Sequence, residues 1–171
     1  RHLNKKSKIR TIDFANHLLL LGKTLLGKGA TEISSVIDWL FAGDNILDIN
    51  KEKIFLYGHS SGGTLVQYAA ALDSRIKGVL ASGSVGPIRE TVGARGVGGG
   101  DSIIPGLLNW LDTKDIIALI APRSFVGLSG DRDHIFPFSG AKKVINLAKV
   151  FFKKMRVENK INFFKVKGKH Q

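Results

Sequence analysis

The stretch that decides the fold reads Ile54-Phe55-Leu56-Tyr57-Gly58-His59-Ser60-Ser61-Gly62-Gly63-Thr64-Leu65. It begins as an apolar run of strand type, passes through a serine between glycines, and continues at once as a run of helix type. Residues 58–62 fit the pattern G-x-S-x-G, in which a sharp turn from strand to helix exposes the serine hydroxyl. Glycine suits this turn because side chains two residues to either side of the serine would obstruct it. The sequence therefore predicts a nucleophile elbow at Ser60.

The composition limits the class of protein. With 171 residues, of which 43% are hydrophobic, the chain is long enough for one globular domain with a core. It contains no cysteine, which excludes disulfides and cysteine-based zinc sites. No apolar run approaches the roughly 20 residues that span a bilayer. No signal peptide is visible, although the first residue is Arg1 rather than Met, and the sequence does not specify a compartment.

The net charge of +12 would suit a polyanionic partner such as nucleic acid. The lysines are scattered, however, and no recognised nucleic-acid-binding module accompanies them. We therefore interpret the charge as a lysine-rich solvated surface, and we expect no nucleic-acid partner.

Strand-type and helix-type runs alternate along the chain. The predicted strands cover residues 54–57, 76–81, 124–128 and 161–166. The predicted helices cover residues 31–41, 62–72, 105–111, 115–120 and 139–155, with Asp112 as a cap, and the leucine-rich segment 12–29 is expected to pack as a helix near the site. This alternation predicts an α/β fold with a parallel sheet and right-handed crossovers. In such a sheet the active site lies beyond the carboxyl ends of the strands.

Two glycine-containing segments invite comparison with nucleotide-binding motifs. Gly22-Lys23-Thr24 matches the end of a phosphate-binding loop, but that motif needs a glycine where the chain has His17. The glycine cluster within residues 86–110 does not open a helix directly after a strand, so it does not predict a dinucleotide site. We expect this cluster to form a loop that lines the pocket, because loops after the strands of α/β sheets carry function.

A serine nucleophile needs a base, and the base needs an acid that orients it. After a nucleophile elbow, the acid and then the histidine follow in loops after later strands. Asp133 lies in the loop after the third predicted strand, together with Asp131, and His170 lies just past the fourth. This order predicts a triad of Ser60, His170 and one of the two aspartates.

The other histidines fit the role of the base less well. His134 adjoins the acid, His59 belongs to the elbow and should point away from the nucleophile, and His2 and His17 precede the elbow. The backbone N–H of Ser61, at the start of the helix, is expected to supply one donor of the oxyanion hole. The second donor normally comes from a loop after an earlier strand, and the sequence predicts no strand before the elbow.

Five segments carry a family resemblance: residues 58–63 (GHSSGG), 73–79 (DSRIKGV), 104–108 (IPGLL), 120–123 (IAPR) and 130–133 (GDRD). The chain resembles the α/β-hydrolase superfamily over most of residues 12–171, above all its acetyl xylan esterase-like and dienelactone hydrolase-like branch. The most specific part is the Ala-Pro-Arg segment followed by a strand, Gly-x-x-Asp and Pro137. The resemblance implies that Asp133, which ends Gly-x-x-Asp, is the triad acid, and that His170 is the family histidine after the last strand.

The resemblance also implies that the chain corresponds to the C-terminal half to two-thirds of such a domain. The family has further strands before this region, including the loop that completes the oxyanion hole, and a helix after the histidine. We therefore expect residues 1–171 to form a single, incomplete α/β-hydrolase domain with an exposed sheet edge.

The triad and the resemblance together predict a serine hydrolase that cleaves carboxylic esters through an acyl-enzyme. The resemblance implies a small acyl group, such as acetate on a carbohydrate or a similar alcohol. This chemistry requires neither a metal nor an organic cofactor. Two alternatives remain, namely a serine peptidase of the prolyl oligopeptidase type and a non-catalytic remnant or interaction module with the same fold. The sequence specifies neither the substrate nor the oligomeric state.

Overall fold

A computed structural model of the chain describes residues 10–42, 48–92 and 102–170. Its strands are β1 (Ile54–His59), β2 (Ile76–Ser82), β3 (Ser124–Gly130) and β4 (Ile161–Val166), and they form one sheet in the order of the chain. Each neighbouring pair of strands is parallel. The predicted α/β fold with a parallel sheet is therefore confirmed, and each predicted strand lies within two residues of the observed one.

The helices of the described residues are α1 (Thr11–Leu20), α2 (Leu25–Phe41), α3 (Ser61–Leu72), α4 (Ile88–Thr91), α5 (Thr113–Ala118) and α6 (Phe138–Lys154). Right-handed crossovers between strands in sequential order place the connecting helices on one face of the sheet. On that face α3 packs against α2 and α5, and α5 packs against α6. None of these helices is long and apolar enough to span a membrane.

The core lies between the sheet and this helix layer. α6 shows how the sequence builds it, because every fourth or third residue of the helix is apolar and buried: Ala141, Val144, Ile145, Ala148 and Phe152. Phe152 packs in the same cluster as Phe125 of β3, and both side chains are fully buried. Burial of one such side chain contributes roughly 1.5–3 kcal/mol.

The first two helices differ from the prediction. The leucine-rich segment does not form one helix, because α1 ends at Leu20 and Gly22 adopts a left-handed φ of 68°. α2 begins six residues before the predicted start, where the Thr24 hydroxyl accepts a hydrogen bond from Gly27 N (3.0 Å). A Cβ at Gly29 would lie 2.8 Å from Leu65 of α3, so this glycine allows the two helices to approach closely. Gly29 therefore allows a close contact between two helices, and it does not end α2.

The segment between β2 and β3 also departs from expectation in detail. Residues 105–111 contain only a 3-10 turn at Leu107–Asn109, whereas α5 begins at Thr113 with the predicted cap. Asp112 and Asp115 form a reciprocal capping box there. Residues 93–101, which hold the glycine cluster expected to line the pocket, lie outside the described residues.

The opposite face of the sheet carries exposed apolar side chains. β1 lies at the sheet edge, and its Phe55 and Tyr57 are 61% and 68% exposed. Phe164 of β4 is 53% exposed. Parallel sheets in α/β proteins are normally covered on both faces. Within the described residues, helices cover only one.

Candidate active site

Ser60 lies at the turn between β1 and α3. Its φ of 52° and ψ of −124° fall outside the regions that residues other than glycine favour. Its N–H donates to the carbonyl of Ser82 at the end of β2 (2.9 Å), and its own carbonyl accepts from Thr64 N in α3 (3.0 Å). Such a backbone costs about 1–3 kcal/mol and persists only where the surroundings fix it. Here a strand and a helix both do so.

The glycines of the elbow have different roles. A Cβ at Gly58 would collide with the carbonyl group of Gly62 and lie 2.7 Å from Gly63 N, so the backbone of α3 excludes any side chain there. A Cβ at Gly62, in contrast, would meet no atom within 4 Å. The expectation that both outer glycines of the motif clear the turn is therefore correct for Gly58 and wrong for Gly62. The second obligatory glycine is Gly63, whose Cβ would collide with the side chain of Ser84.

The structure brings the side chains of Ser60, Asp133 and His170 together from three different loops. His170 Nε2 lies 2.8 Å from Ser60 Oγ, and His170 Nδ1 lies 2.9 Å from Asp133 Oδ2. The Asp133 side chain is 1% exposed and that of His170 is 12% exposed. Distances in this range allow a proton to pass from the hydroxyl to the imidazole. The arrangement can therefore activate the serine as a nucleophile.

Asp133 is held as an ionised acceptor. Its other oxygen, Oδ1, accepts hydrogen bonds from the backbone N–H groups of Ile135 and Phe136, both at 2.8 Å. Burial alone would raise the pKa of Asp133, but the hydrogen bonds from Phe136, His170 and Ile135 outweigh it and hold the pKa below its ordinary value. A carboxylate in this state fixes the Nδ1–H tautomer of His170 and leaves Nε2 to accept a proton.

Asp131, the alternative acid, fixes the loop that carries His170. Its Oδ1 accepts from Gly168 N (2.9 Å), and its own N–H donates to the carbonyl of Val166 at the end of β4 (2.9 Å). A Cβ at Gly130 would lie 2.7 Å from Gly168 O, so the end of β3 needs glycine where this loop crosses it. The two aspartates of the motif thus have distinct contacts, one with the histidine and one with its backbone.

The other histidines take varied positions. His59 lies beside His170, with ring centroids 5.3 Å apart, and its Nδ1 lies 3.2 Å from Ser82 Oγ. A Cβ at Gly83 would lie 3.0 Å from His59 and 3.4 Å from His170, and Gly83 has a left-handed φ of 54°. His134 and His17 are exposed, and His2 lies outside the described residues. The sequence did not indicate that His59 packs against His170.

Ser61 is the first residue of α3 and directly follows Ser60. Its backbone N–H therefore belongs to the positive end of the helix dipole, next to Ser60. Before β1, residues 10–42 hold α1 and α2, residues 48–53 hold coil and a turn, and neither range contains a strand. In the part of the chain that the structure describes, no group of three or more histidine or acidic side chains is suited to holding a metal ion.

Two spaces adjoin the elbow. A mostly apolar pocket of about 200 Å³ lies between α2 and α3, and its lining residues are Thr11, Leu25, Leu26, Ser61, Gly62, Leu65 and Ser102. A much smaller cavity of about 20 Å³ lies on the other side of α3, where Gln67, Tyr68 and Ser84 contribute polar groups. Gln67 Nε2 donates to Gly63 O (3.0 Å), while its buried Oε1 meets no partner among the described residues. Burial raises the pKa of Tyr68 to about 12, with a smaller contribution from the charge of Asp112.

Comparison with known proteins supports the fold. No protein-family model matches the chain. Among curated proteins, it is 28% identical over 129 residues to "Putative hydrolase YtaP" of Bacillus subtilis (strain 168), a match that covers 74% of this chain and 42% of YtaP.

Two solved structures show the likeness in three dimensions. One is a carbohydrate esterase family 15 glucuronoyl esterase from Caldicellulosiruptor kristjansonii, with a TM-score of 0.72 and 21% identity over 85% of this chain and 45% of that one. The other is a Bacteroides fragilis protein named as a "putative acetyl xylan esterase", with a TM-score of 0.69 and 18% identity over 90% of this chain and 39% of that one. The chain thus spans less than half the length of each of these proteins.

The likeness agrees with the features already described. The parallel strands follow one another in sequence, a strained serine joins β1 to α3, and an acid and a histidine lie past β3 and β4. The two solved structures match more than four-fifths of this chain's length. The chain therefore has the α/β-hydrolase fold.

Proposed function

We propose that the protein hydrolyses carboxylic esters, with Ser60 as nucleophile, His170 as general base and Asp133 as the acid that orients it. The observation that carries this proposal is the continuous pair of hydrogen bonds from Ser60 Oγ to His170 Nε2 (2.8 Å) and from His170 Nδ1 to Asp133 Oδ2 (2.9 Å). The left-handed backbone of Ser60 supports it, because strain of this kind concentrates at functional sites.

The reaction follows from these contacts. Ser60 Oγ attacks the ester carbonyl while His170 Nε2 takes its proton, and the carbonyl oxygen becomes an oxyanion next to the N–H of Ser61. As this tetrahedral intermediate collapses, His170 returns the proton to the leaving alcohol and the acyl group stays on Ser60. Water, deprotonated by His170, then attacks the acyl-enzyme and releases the carboxylic acid. Asp133 stabilises the imidazolium in both steps.

The proposed substrate is an ester of a small acyl group, such as acetate on a carbohydrate. Support comes from the named neighbours, which include a glucuronoyl esterase and a protein named as an acetyl xylan esterase. We favour an ester over a peptide as the substrate because these neighbours are named as esterases.

The test compares the full-length protein with its Ser60→Ala variant in two assays. The first measures hydrolysis of p-nitrophenyl acetate, and the second measures labelling by a fluorophosphonate, which reacts with activated serines. We expect wild-type hydrolysis to fall by on the order of 10⁴-fold or more in the variant, because removing the nucleophile removes the whole covalent route. Mass spectrometry should place the label on Ser60. Ser139→Ala, at an exposed serine of α6, is the matched control and should retain both activities.

Two results would count against the proposal. If Ser60→Ala hydrolyses the ester as fast as the wild type, the nucleophile is assigned wrongly. If the wild-type protein neither hydrolyses acyl esters nor reacts with the fluorophosphonate, the protein is not a serine esterase.

A further inference from the structure

We propose that the apolar pocket between α2 and α3 receives the acyl chain of the substrate, and that it favours small acyl chains of a few carbons over acetyl. This inference rests on the proposed ester hydrolysis and specifies its substrate class as esters of short alkanoic acids. The pocket of about 200 Å³ is walled mainly by Leu25, Leu26 and Leu65, and it reaches the elbow at Ser61 and Gly62. It is therefore an apolar space that begins one residue from the nucleophile.

The chemistry of the site decides which part of the ester points into this pocket. The leaving alcohol must lie near His170 Nε2, because that nitrogen protonates it. The walls of the pocket come from residues of α1, α2 and α3 together with Ser102, and none comes from the loops that carry Asp133 and His170. We therefore infer that the pocket lies on the side of Ser60 away from His170. The group that extends in that direction from the attacked carbonyl is the acyl chain.

Size and polarity favour an alkyl chain of a few carbons. An apolar cavity of about 150 Å³ is known to hold benzene, so 200 Å³ exceeds what the single methyl group of acetate would fill. None of the lining residues has a charged side chain, so the pocket offers no ionic partner for an acid group. The small cavity beyond α3 is a poor alternative, because its 20 Å³ has room for little more than a water molecule and Gln67 makes it polar.

A side chain introduced at Gly62 would extend into this pocket. Its α-carbon faces open space, with no atom within 4 Å of a hypothetical Cβ, and it lines the pocket in the first turn of α3. Its φ is not left-handed, so a side chain can be added without backbone strain. Alanine and leucine at this position would fill the pocket in two steps.

The experiment measures kcat/KM of the full-length protein for p-nitrophenyl acetate and p-nitrophenyl butyrate. Each buried methylene should contribute a factor of about four, so the butyrate to acetate ratio should reach up to about 15 in the wild type. We expect this ratio to fall in Gly62→Ala and to approach one in Gly62→Leu. Because the readout is a ratio, it does not depend on how much active protein each variant yields. Lys149→Leu, on the exposed face of α6, adds the same side chain elsewhere and should keep the wild-type ratio.

The outcomes separate this proposal from the one on which it rests. If hydrolysis depends on Ser60 but the ratio is near one in the wild type, or is the same in wild type and Gly62→Leu, the pocket does not take the acyl chain. If Gly62→Leu instead changes the preference between ethyl acetate and hexyl acetate, the pocket takes the alcohol, and the inference is wrong. Absence of any Ser60-dependent hydrolysis would overturn the proposed function, and the pocket assignment with it.

Discussion

Replacing Gly58 and Gly62 by alanine should have opposite effects on stability, although both glycines belong to the same five-residue motif. A Cβ at Gly58 would collide with the carbonyl group of Gly62 and approach Gly63 N to 2.7 Å. These are backbone atoms of α3, so they cannot yield by a side-chain rotation. Overpacking typically costs 1–3 kcal/mol, and we expect Gly58→Ala to lower the free energy of unfolding by about 3 kcal/mol or more.

Gly62→Ala should do the reverse. The added methyl group meets no atom within 4 Å, and alanine is favoured over glycine in a helix by up to about 1 kcal/mol. The two variants should therefore differ by roughly 3–4 kcal/mol in the free energy of unfolding. The same argument places Gly63 with Gly58, because Ser84 packs where its Cβ would be.

Urea denaturation of the wild type and the two variants, followed by circular dichroism at neutral pH, measures this difference. The midpoint should fall for Gly58→Ala and stay level or rise for Gly62→Ala. The reasoning would be refuted if both variants lost stability equally, because the motif would then need glycine at Gly62 for a reason other than space. It would also be refuted if Gly58→Ala were as stable as the wild type.

Two further predictions concern the aspartates. Asp133→Asn should lower kcat by on the order of 10⁴-fold, because the amide favours the wrong imidazole tautomer. Asp131→Asn keeps an oxygen that can accept from Gly168 N, so its kcat should stay within tenfold of the wild type. Steady-state kinetics on a chromogenic ester measures both values, and equal losses would contradict the assignment of Asp133 as the acid. Hydrogen bonds from Arg75 lower the pKa of Asp73 to about 2, so its carboxylate contributes roughly 2 kcal/mol that is present at neutral pH and lost as the pH falls from about 4 through 2. In urea denaturation, Asp73→Asn should therefore be less stable than the wild type by about that amount at pH 7 and by about half of it at pH 3, and a difference independent of pH would contradict this linkage.

Much of the fold was predictable because the sheet is built from regular patterns. The strands are short apolar runs, and α6 repeats its buried residues at helical spacing, so both signals are local. The start of α2 was placed too late because the segment up to Gly29 was interpreted as a separate helix. Gly29 in fact lies inside α2, where it makes room for Leu65 of α3. A contact between helices cannot be seen in the sequence of one of them.

The candidate site was also predictable only in part. The order along the chain selected Ser60 and His170 and left two aspartates open, and the family resemblance selected Asp133, which the structure brings into contact with His170. Local sequence could not show that Asp131 holds Gly168, or that Gly63 rather than Gly62 is the glycine that the packing requires. The sequence did not predict that Gln67 is buried, because its amide nitrogen donates to the carbonyls of Gly63 and Ser84, which only the folded structure brings close to it.

The geometry of the site follows from the sheet more than from its loops. At the carboxyl end of the sheet, backbone hydrogen bonds continue the parallel ladder just beyond the ends of successive strands: Ser60 N to Ser82 O, Gly83 N to Leu128 O, and Asp131 N to Val166 O. Ser60, Gly83 and the loop that carries Asp133 are thereby each fixed to the neighbouring strand. A loop held only by its own turn could not keep Ser60 and Asp133 each within hydrogen-bonding distance of His170, because loops are more mobile than the strands that they connect. The sheet would therefore supply the preorganisation that the proposed nucleophile needs, and we expect a substitution that loosens the strand ends to reduce ester hydrolysis before it unfolds the protein.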